Sequence, residues 1–133
     1  MAGPYKFMDE EWIKVYMEEY NKNQELVDSL KGFSAVVEMG ITDKDKRCFF
    51  YVVEDGKGVA VSKTPPEGKK ADYRLYASTD LWRKIAEGKT GVKSALITRR
   101  LKYEGSMATA MKYMKGLTGA LTTFGKVPTD WNI

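Results

Sequence analysis

Apolar residues recur every three or four positions at the beginning of the chain, a spacing that predicts helices. The first helical region covers residues 9–31, with Asp9 as its N-cap and a break at Asn21–Asn23. Gly32 stands where a helix commonly ends on a glycine. The apolar face of this region consists of Trp12, Ile13, Tyr16, Met17 and Tyr20, followed by Leu26, Val27 and Leu30.

The period changes to two from Phe33 onward, and this alternation predicts β-strands. The predicted strands are residues 33–41, 48–54, 58–62 and 71–78, and a polar loop precedes the last of them. The residues expected on the inner face are Phe33, Ala35, Val37, Met39, Ile41, Phe49, Tyr51, Val53, Tyr73, Leu75 and Ala77.

The helical period returns twice after the fourth strand. Residues 79–89 form a predicted helix with Ser78 or Thr79 as its cap, and Gly88 ends it. Residues 92–98 are expected to add one or two helical turns before the last strand. The apolar face of the longer helix consists of Leu81, Trp82, Ile85 and Ala86.

The stretch Leu101–Phe124 begins as a strand and changes at Gly105–Ser106 to a helical pattern. Gly116 and Gly119 favour two short helices over a single one. Methionines at helical spacing are usually core, but methionine is also common on surfaces that accept varied apolar partners. The apolar face of this segment consists of Met107, Ala110, Met111, Met114, Leu117, Leu121 and Phe124.

Strands grouped in the middle of the chain, with helices before and after them, predict an α+β fold. We expect a five-stranded, mainly antiparallel sheet that is covered on one face by helices. A chain of 133 residues should form a single domain, residues 1–133, with one core that needs neither disulfide nor metal. Phe50 and Val52 on the outer face are also apolar, so another element or a second subunit should cover them, and the sequence allows a homodimer.

Composition excludes several classes of function. No apolar run approaches the ~18 residues that a membrane span needs, and Met1–Met8 lacks the apolar core of a signal peptide. The single cysteine, Cys48, cannot form a disulfide within the chain, which favours a reducing, cytoplasmic location. The chain has no histidine, which removes histidine-based nucleophilic triads and the commonest metal ligand. We therefore expect no metal site and no cofactor.

The net charge of +4 favours anionic partners only mildly. Acidic residues are interleaved with basic ones along the chain, and the densest basic cluster is Arg99, Arg100 and Lys102. A nucleic-acid-binding domain usually combines a basic stripe with aromatic platforms, whereas the aromatic residues here belong to apolar strands and amphipathic helices. We therefore expect no nucleic-acid partner and no integral membrane segment, while transient contact with a membrane surface is allowed.

Residues 69–114 contain an ordered set of short motifs: Ala71-Asp72 at a strand start, Leu81-Trp82 in a helix, Gly88-Lys89 at its end, Ser94-Ala95 in a small-residue helix, and Leu101–Gly105 before Met107. This set resembles the lipid-transfer domain of the sterol carrier protein type 2 family. Upstream, Val52–Gly58 fits a strand and turn of the family, and Asp9–Trp12, Asn21 and Lys31–Phe33 look like its small stand-alone prokaryotic members.

The resemblance implies a hydrophobic tunnel between the sheet and the helices. It also implies binding and transfer of fatty acids, fatty acyl-CoA, sterol-like lipids or phospholipids without chemistry on them. Two features depart from the family pattern: Arg99-Arg100 replace a pair that is commonly uncharged, and Asp130–Ile133 is not a peroxisomal address.

We expect the tunnel wall to combine inner strand positions with the helical apolar face that follows Ser106. Arg99, Arg100 and Lys102 are candidates to bind an anionic head group, since a guanidinium pairs bidentately with carboxylate or phosphate, and a solvated surface cluster is the alternative. The expected wall residues are Val37, Met39, Phe49, Tyr51, Val53, Tyr73, Leu75, Trp82, Ile85, Leu96, Tyr103, Met107, Met111, Met114, Leu117 and Leu121.

An enzyme is the alternative hypothesis, because small α+β folds with a cavity also host isomerases and cyclases that use a buried carboxylate and a tyrosine. The candidates are Glu104 with Tyr103 or Tyr73, although the strand alternation places Glu104 on the outer face. A third hypothesis is an interaction module that dimerises through the Phe50 and Val52 face or through the N-terminal helix, and it is compatible with lipid binding.

Overall fold

The structure is a computed structural model that describes residues 3–133. Its strands are Tyr5–Lys6 (β1), Ala35–Ile41 (β2), Cys48–Glu54 (β3), Lys57–Ser62 (β4), Tyr73–Ala77 (β5), Lys102–Glu104 (β6) and Thr129–Asp130 (β7). Its α-helices are Glu10–Lys22 (α1), Gln24–Ser29 (α2), Thr79–Ala86 (α3), Val92–Ile97 (α4), Met107–Lys112 (α5) and Met114–Thr122 (α6). Within residues 3–133, no helix is both long enough and apolar enough to cross a membrane.

The main sheet contains five strands in the order β4-β3-β2-β5-β6. Three of its pairings are antiparallel and the β2–β5 pairing is parallel, so the sheet is mainly antiparallel, as predicted, and mixed in detail. A second, parallel pairing joins β1 to β7. Strands of two residues are too short to show a period, which is why the sequence did not predict them.

The connection from β4 to β5, residues 63–72, crosses the sheet, because β3 and β2 lie between the two strands. Lys69 borders the same outer-face cleft as Val36 and Val52, so the end of this connection lies on the face opposite the helices. Phe50 on that face is 7% exposed. Its cover therefore comes from within the chain and does not require a second subunit.

A cluster of aromatic rings fills one part of the inner face, with Phe124 at its centre. The centroid of the Phe124 ring lies 5.0 Å from that of Trp12, 5.1 Å from that of Trp82 and 5.2 Å from that of Tyr16. Such edge-to-face and tilted pairs stabilise a core beyond the area they bury. Because Phe124 lies in the 3₁₀ turn Thr123–Lys126, this cluster attaches the end of α6 to α1 and α3.

The C-terminal helical segment is divided into α5 and α6 at Tyr113. The sequence predicted two short helices, but it attributed the break to Gly116 and Gly119. Gly116 and Gly119 lie inside α6. A Cβ at Gly116 would collide with the side chain of Leu30, and one at Gly119 would lie 2.9 Å from Cδ1 of Leu26. The two glycines therefore allow α6 to pack closely on the segment around α2, and they do not end a helix.

Phe124→Ala should lower the free energy of unfolding by about 3–5 kcal/mol, because it removes a fully buried ring from the centre of the aromatic cluster. Phe33→Ala is the matched control. Phe33 is half-buried beside Tyr73 and Tyr113, so removing its ring should lower the free energy of unfolding clearly less than Phe124→Ala does. Urea unfolding of both variants measures the difference, and equal losses would contradict the unequal packing.

Candidate apolar ligand site

An apolar cavity of about 60 Å³ lies between the sheet and the C-terminal helices. Its lining contains no charged residue. Its sheet side consists of Val37, Met39, Tyr51, Val53, Tyr73, Leu75 and Tyr103, with Phe33 just before β2. Its helical side consists of Tyr16, Tyr20, Leu30, Thr109, Ala110, Tyr113, Leu117, Ala120 and Leu121.

The strand register brings the sheet side of the cavity together. Val37 lies directly opposite Tyr51 on β3 and Tyr73 on β5, and Leu75 lies opposite Tyr103 on β6. Residues paired in this way project from the same face of a sheet. The alternation within each strand therefore produces one continuous apolar surface across four strands.

Three tyrosines, Tyr16, Tyr20 and Tyr51, form the buried end of the cavity. The Tyr16 hydroxyl donates a hydrogen bond to the Ala120 carbonyl at 2.9 Å, and the Tyr20 hydroxyl donates to the Gly56 carbonyl at 2.8 Å. Burial raises the pKa of all three hydroxyls above its ordinary value, so they stay protonated at neutral pH. The Tyr51 hydroxyl is buried without a hydrogen-bond partner in the described part of the chain.

Four half-buried aromatic rings form the other end, which reaches the surface. The centroid of the Phe33 ring lies 5.3 Å from that of Tyr113 and 5.6 Å from that of Tyr73, which in turn lies 6.1 Å from that of Tyr103. The Tyr103 hydroxyl donates to the Ser106 carbonyl at 2.7 Å, and burial, with Tyr73 nearby, raises the pKa of Tyr103 to about 12. The entrance is therefore apolar and uncharged.

The cavity is too small for an extended alkyl chain in this conformation. Its 60 Å³ is well below the roughly 150 Å³ of an engineered core cavity that holds benzene. The walls also differ in how they are fixed. The sheet wall is held by ladders of hydrogen bonds, whereas α5 contributes one buried residue, Ala110.

Helix α5 presents opposite sides to the cavity and to the surface. Thr109 and Ala110 line the cavity, whereas Met107 and Met111 are 46% and 39% exposed. The two methionines that the sequence placed in the tunnel wall therefore do not border the cavity in this conformation. The regular stripe assumed an unbroken helical face, but the break at Tyr113 ends that continuity and the Tyr113 side chain takes a wall position instead.

Nine of the predicted wall residues are brought together around the cavity. They are Val37, Met39, Tyr51, Val53, Tyr73, Leu75, Tyr103, Leu117 and Leu121. Phe49, Trp82, Ile85 and Leu96 are buried in the adjoining core and do not border the cavity, because the side chains around Phe124 fill that part of the inner face. Met114 is half-buried against the same core.

Several wall residues were not assigned to the site from the sequence. Tyr16, Tyr20, Leu30 and Ala110 belonged to predicted apolar faces, so the sequence showed their burial but not the cavity beside them. Thr109 and Tyr113 gave no signal, since they fall between the positions of the methionine stripe. The other wall residues that were not assigned to the site are Phe33 and Ala120.

The predicted head-group cluster does not border the cavity. Lys102 is paired with Tyr76, so its side chain projects from the outer face of the sheet. Arg99 and Arg100 are exposed in the turn between α4 and β6. The alternation of β6 also predicts an outward side chain for Lys102, because Tyr103 next to it was expected to point inward.

The carboxylates near tyrosines also lie on the outer face. Glu104 pairs with Arg74 at 3.2 Å, and Glu38 accepts hydrogen bonds from Tyr76 and Arg74. Neither acid faces the cavity. Within residues 3–133, no group of three or more cysteine, aspartate or glutamate side chains is arranged to hold a metal ion.

A larger depression of about 500 Å³ lies on the outer face. Charged residues such as Glu54, Lys70 and Asp72 border it together with Val36 and Val52. Because it is open and partly polar, it does not shield an apolar molecule from water. The smaller apolar cavity is the better candidate for an apolar ligand.

The fold and the cavity define an α+β domain with an apolar pocket between its sheet and its helices. This chain belongs to the SCP-2 sterol transfer family, whose family model matches residues 13–118. A search of curated proteins found no match to the sequence.

Solved structures with this fold are similar over nearly the whole chain. A crystal structure of sterol carrier protein 2 aligns with a TM-score of 0.82 at 14% identity, covering 92% of this chain and 99% of that chain. A possible sterol carrier protein from Thermus thermophilus aligns with a TM-score of 0.79 at 16% identity, covering 98% and 94%. A palmitated SCP2L2 protein from Aedes aegypti aligns at 0.57 and 14% identity, covering 82% and 93%. At these identities the matches show the fold.

Tyr51→Phe should raise the free energy of unfolding by about 1 kcal/mol, because it removes a buried hydroxyl that has no partner. Tyr20→Phe is the matched control and should lower it by about 1–2 kcal/mol, since the buried Gly56 carbonyl loses its donor. Urea unfolding without ligand checks both. Equal destabilisation of the two variants would mean that the Tyr51 hydroxyl is satisfied, for example by an internal water.

Proposed function

We propose that this protein binds lipids with long aliphatic chains in the cavity and transfers them without changing them chemically. The observation that carries the proposal is a continuous, uncharged lining that reaches the surface between aromatic rings. Membership of the SCP-2 sterol transfer family supports lipid binding and transfer in general.

The lone Cys48 favours a reducing compartment, and we place the protein in the cytoplasm.

Burial of an alkyl chain supplies enough free energy for this function. Each buried methylene contributes about 0.8 kcal/mol, so about fifteen contribute about 12 kcal/mol. Association costs at least about 4 kcal/mol, and the remaining ~8 kcal/mol corresponds to a micromolar Kd. The free energy needed to open the cavity must be subtracted from these ~8 kcal/mol. Longer chains should therefore bind more tightly than shorter ones, with little discrimination between head groups.

The wall must open to admit such a chain, and α5 is the part we expect to move. Its one buried side chain, Ala110, is small, so displacing α5 exposes little apolar surface. Helix α6 is held by close glycine contacts and by Phe124, so it should stay in place. The proposed ligand wall is then Val37, Met39, Tyr51, Val53, Tyr73, Leu75, Tyr103, Leu117 and Leu121 on the fixed side.

The ligand class that fits is a fatty acid or another single-chain lipid, with its head group left at the entrance. The lining offers no cation for a carboxylate, so the charged end should stay in water near Tyr103 and Tyr113. One solved structure with this fold is of a palmitated protein, which supports a fatty acyl chain as the guest. Acyl-CoA, sterol-like lipids and phospholipids are the related candidates.

We propose a carrier in preference to an enzyme. An isomerase or cyclase of the kind considered above needs a carboxylate beside its substrate. Glu104 and Glu38 lie on the opposite face of the sheet from the cavity, each engaged by Arg74. The hydroxyls at the buried end are held protonated by burial, which does not suit them as bases.

Val37→Phe should weaken binding of a fluorescent long-chain fatty acid by at least about tenfold, because the larger side chain occupies the cavity from the centre of the sheet. Val59→Phe is the control, since Val59 is 45% exposed on β4 and does not border the cavity. Displacement titrations, with native mass spectrometry for co-purified lipid, measure the effect. A wild-type protein that shows neither saturable binding nor bound lipid would overturn the proposed function.

A further inference from the structure

Acidic and basic residues are interleaved over most of the chain, but residues 91–128 are an exception. Residues 91–128 contain seven lysines and arginines and one acidic residue, Glu104, and so carry a formal charge of +6 while the whole chain carries +4. The rest of the chain is therefore slightly acidic. The seven basic residues are Lys93, Arg99, Arg100, Lys102, Lys112, Lys115 and Lys126.

These basic side chains are available to an external partner. All seven are exposed. None of them forms an ion pair within residues 3–133, since the one acid of the segment, Glu104, pairs with Arg74. By contrast, Arg74, Arg83, Lys84 and Lys89 all have acidic partners. Basic residues elsewhere, such as Lys57, Lys69 and Lys70, also lack ion pairs within residues 3–133, but residues 91–128 combine seven unpaired cations with a single acidic residue.

The same segment also carries most of the exposed apolar side chains. Met107 and Met111 are exposed on α5, and Ile97 on α4 is 63% exposed. Among the described residues, the one other large hydrophobic side chain of this kind is Val59. Clustered exposed apolar groups on a protein surface commonly mark a binding surface.

Exposed residues lie along one side of α5 and continue at the start of α6. We call Met107, Ala108, Met111, Lys112 and Lys115 the α5 outer face; each is exposed. At 3.6 residues per turn, the four that lie within α5 project from the side of this helix that is about 180° from Thr109 and Ala110, and Lys115 follows beyond the break at Tyr113. The helix that closes the cavity on its inner side therefore shows methionine and lysine on its outer side.

We propose that the α5 outer face docks on the surface of an anionic lipid bilayer. Methionine side chains enter the acyl boundary while lysines remain at the level of anionic head groups, which is the arrangement of interfacial amphipathic helices. The remaining basic residues of 91–128 add long-range attraction that weakens with salt. This inference deepens the proposed function and rests on it for its purpose, since docking would hold the carrier at the membrane that supplies or receives the lipid.

A bilayer fits this surface better than a second copy of the chain or another protein. A symmetric dimer would bring the same lysines of two copies together, and like charges repel. A stable protein interface buries about 800 Å² per partner, far more than two half-exposed methionines supply. Reversible membrane contact needs only a few inserted side chains and complementary charge, and a carrier must also leave the membrane.

Sedimentation with vesicles tests the proposal on the full-length chain. The probes are phosphatidylcholine vesicles and vesicles of equal parts phosphatidylcholine and phosphatidylglycerol. We expect binding to the anionic vesicles to be at least about tenfold stronger and to weaken with added salt. Binding that is equal on both vesicle types, or absent from both, would overturn the inference.

Two variants locate the contact. Met107→Ser/Met111→Ser and Lys112→Glu/Lys115→Glu should each reduce binding to the anionic vesicles by about tenfold or more. The controls are Val59→Ser, which removes an exposed apolar residue on β4, and Lys69→Glu/Lys70→Glu, which makes the same charge change on the outer face of the sheet. Variants of α5 that bind vesicles as tightly as the wild type would overturn the proposal.

Two further measurements separate this inference from the proposed function. Binding of a fluorescent fatty acid from solution should be unchanged in Met107→Ser/Met111→Ser, because neither side chain lines the cavity. Loss of vesicle binding with intact ligand binding supports docking through α5, whereas failure of ligand binding in the wild type would concern the cavity alone. Light scattering that showed a dimer lost in the same variant would assign the surface to a second copy and refute the bilayer.

Discussion

The organisation of this protein depends on one constraint: its own side chains pack one part of the inner sheet face fully and leave another part underfilled. The ring centroids of Trp12, Tyr16 and Trp82 each lie close to 5 Å from that of Phe124, so this part of the inner face is closely packed. Around Val37, small or uncharged side chains leave a gap bordered by aromatic rings. The first region supplies stability, and the second is where an apolar guest would complete the core.

The sequence was sufficient for the fold class and for the faces of the strands. Alternation in β2, β3 and β5 identified Val37, Tyr51 and Leu75 as inward residues, because one face of the sheet is buried and a shift of one residue would expose all of them. It could not show that β2 and β5 are neighbours, since that depends on the long crossover of residues 63–72. It also gave no signal for β1 and β7.

The candidate site was harder to predict than the fold, for a geometric reason. Periodicity shows which side of an element is apolar, but it does not show where the packing on that side is incomplete. Phe49 and Tyr51 have the same parity on β3, yet the Phe49 ring packs 5.9 Å from Trp12 while Tyr51 borders the cavity. The same limit applies to Met107 and Met111, where a break at Tyr113 changed which side of the helix faces inward.

The small buried contribution of α5 has a consequence for how such a protein can diversify. Ala110 is the one residue through which α5 enters the core, whereas α6 is fixed by glycine contacts and by Phe124. Substitutions on α5 should therefore alter ligand preference at little cost to folding. Natural selection could adapt this helix to new cargo while the rest of the scaffold stays constant.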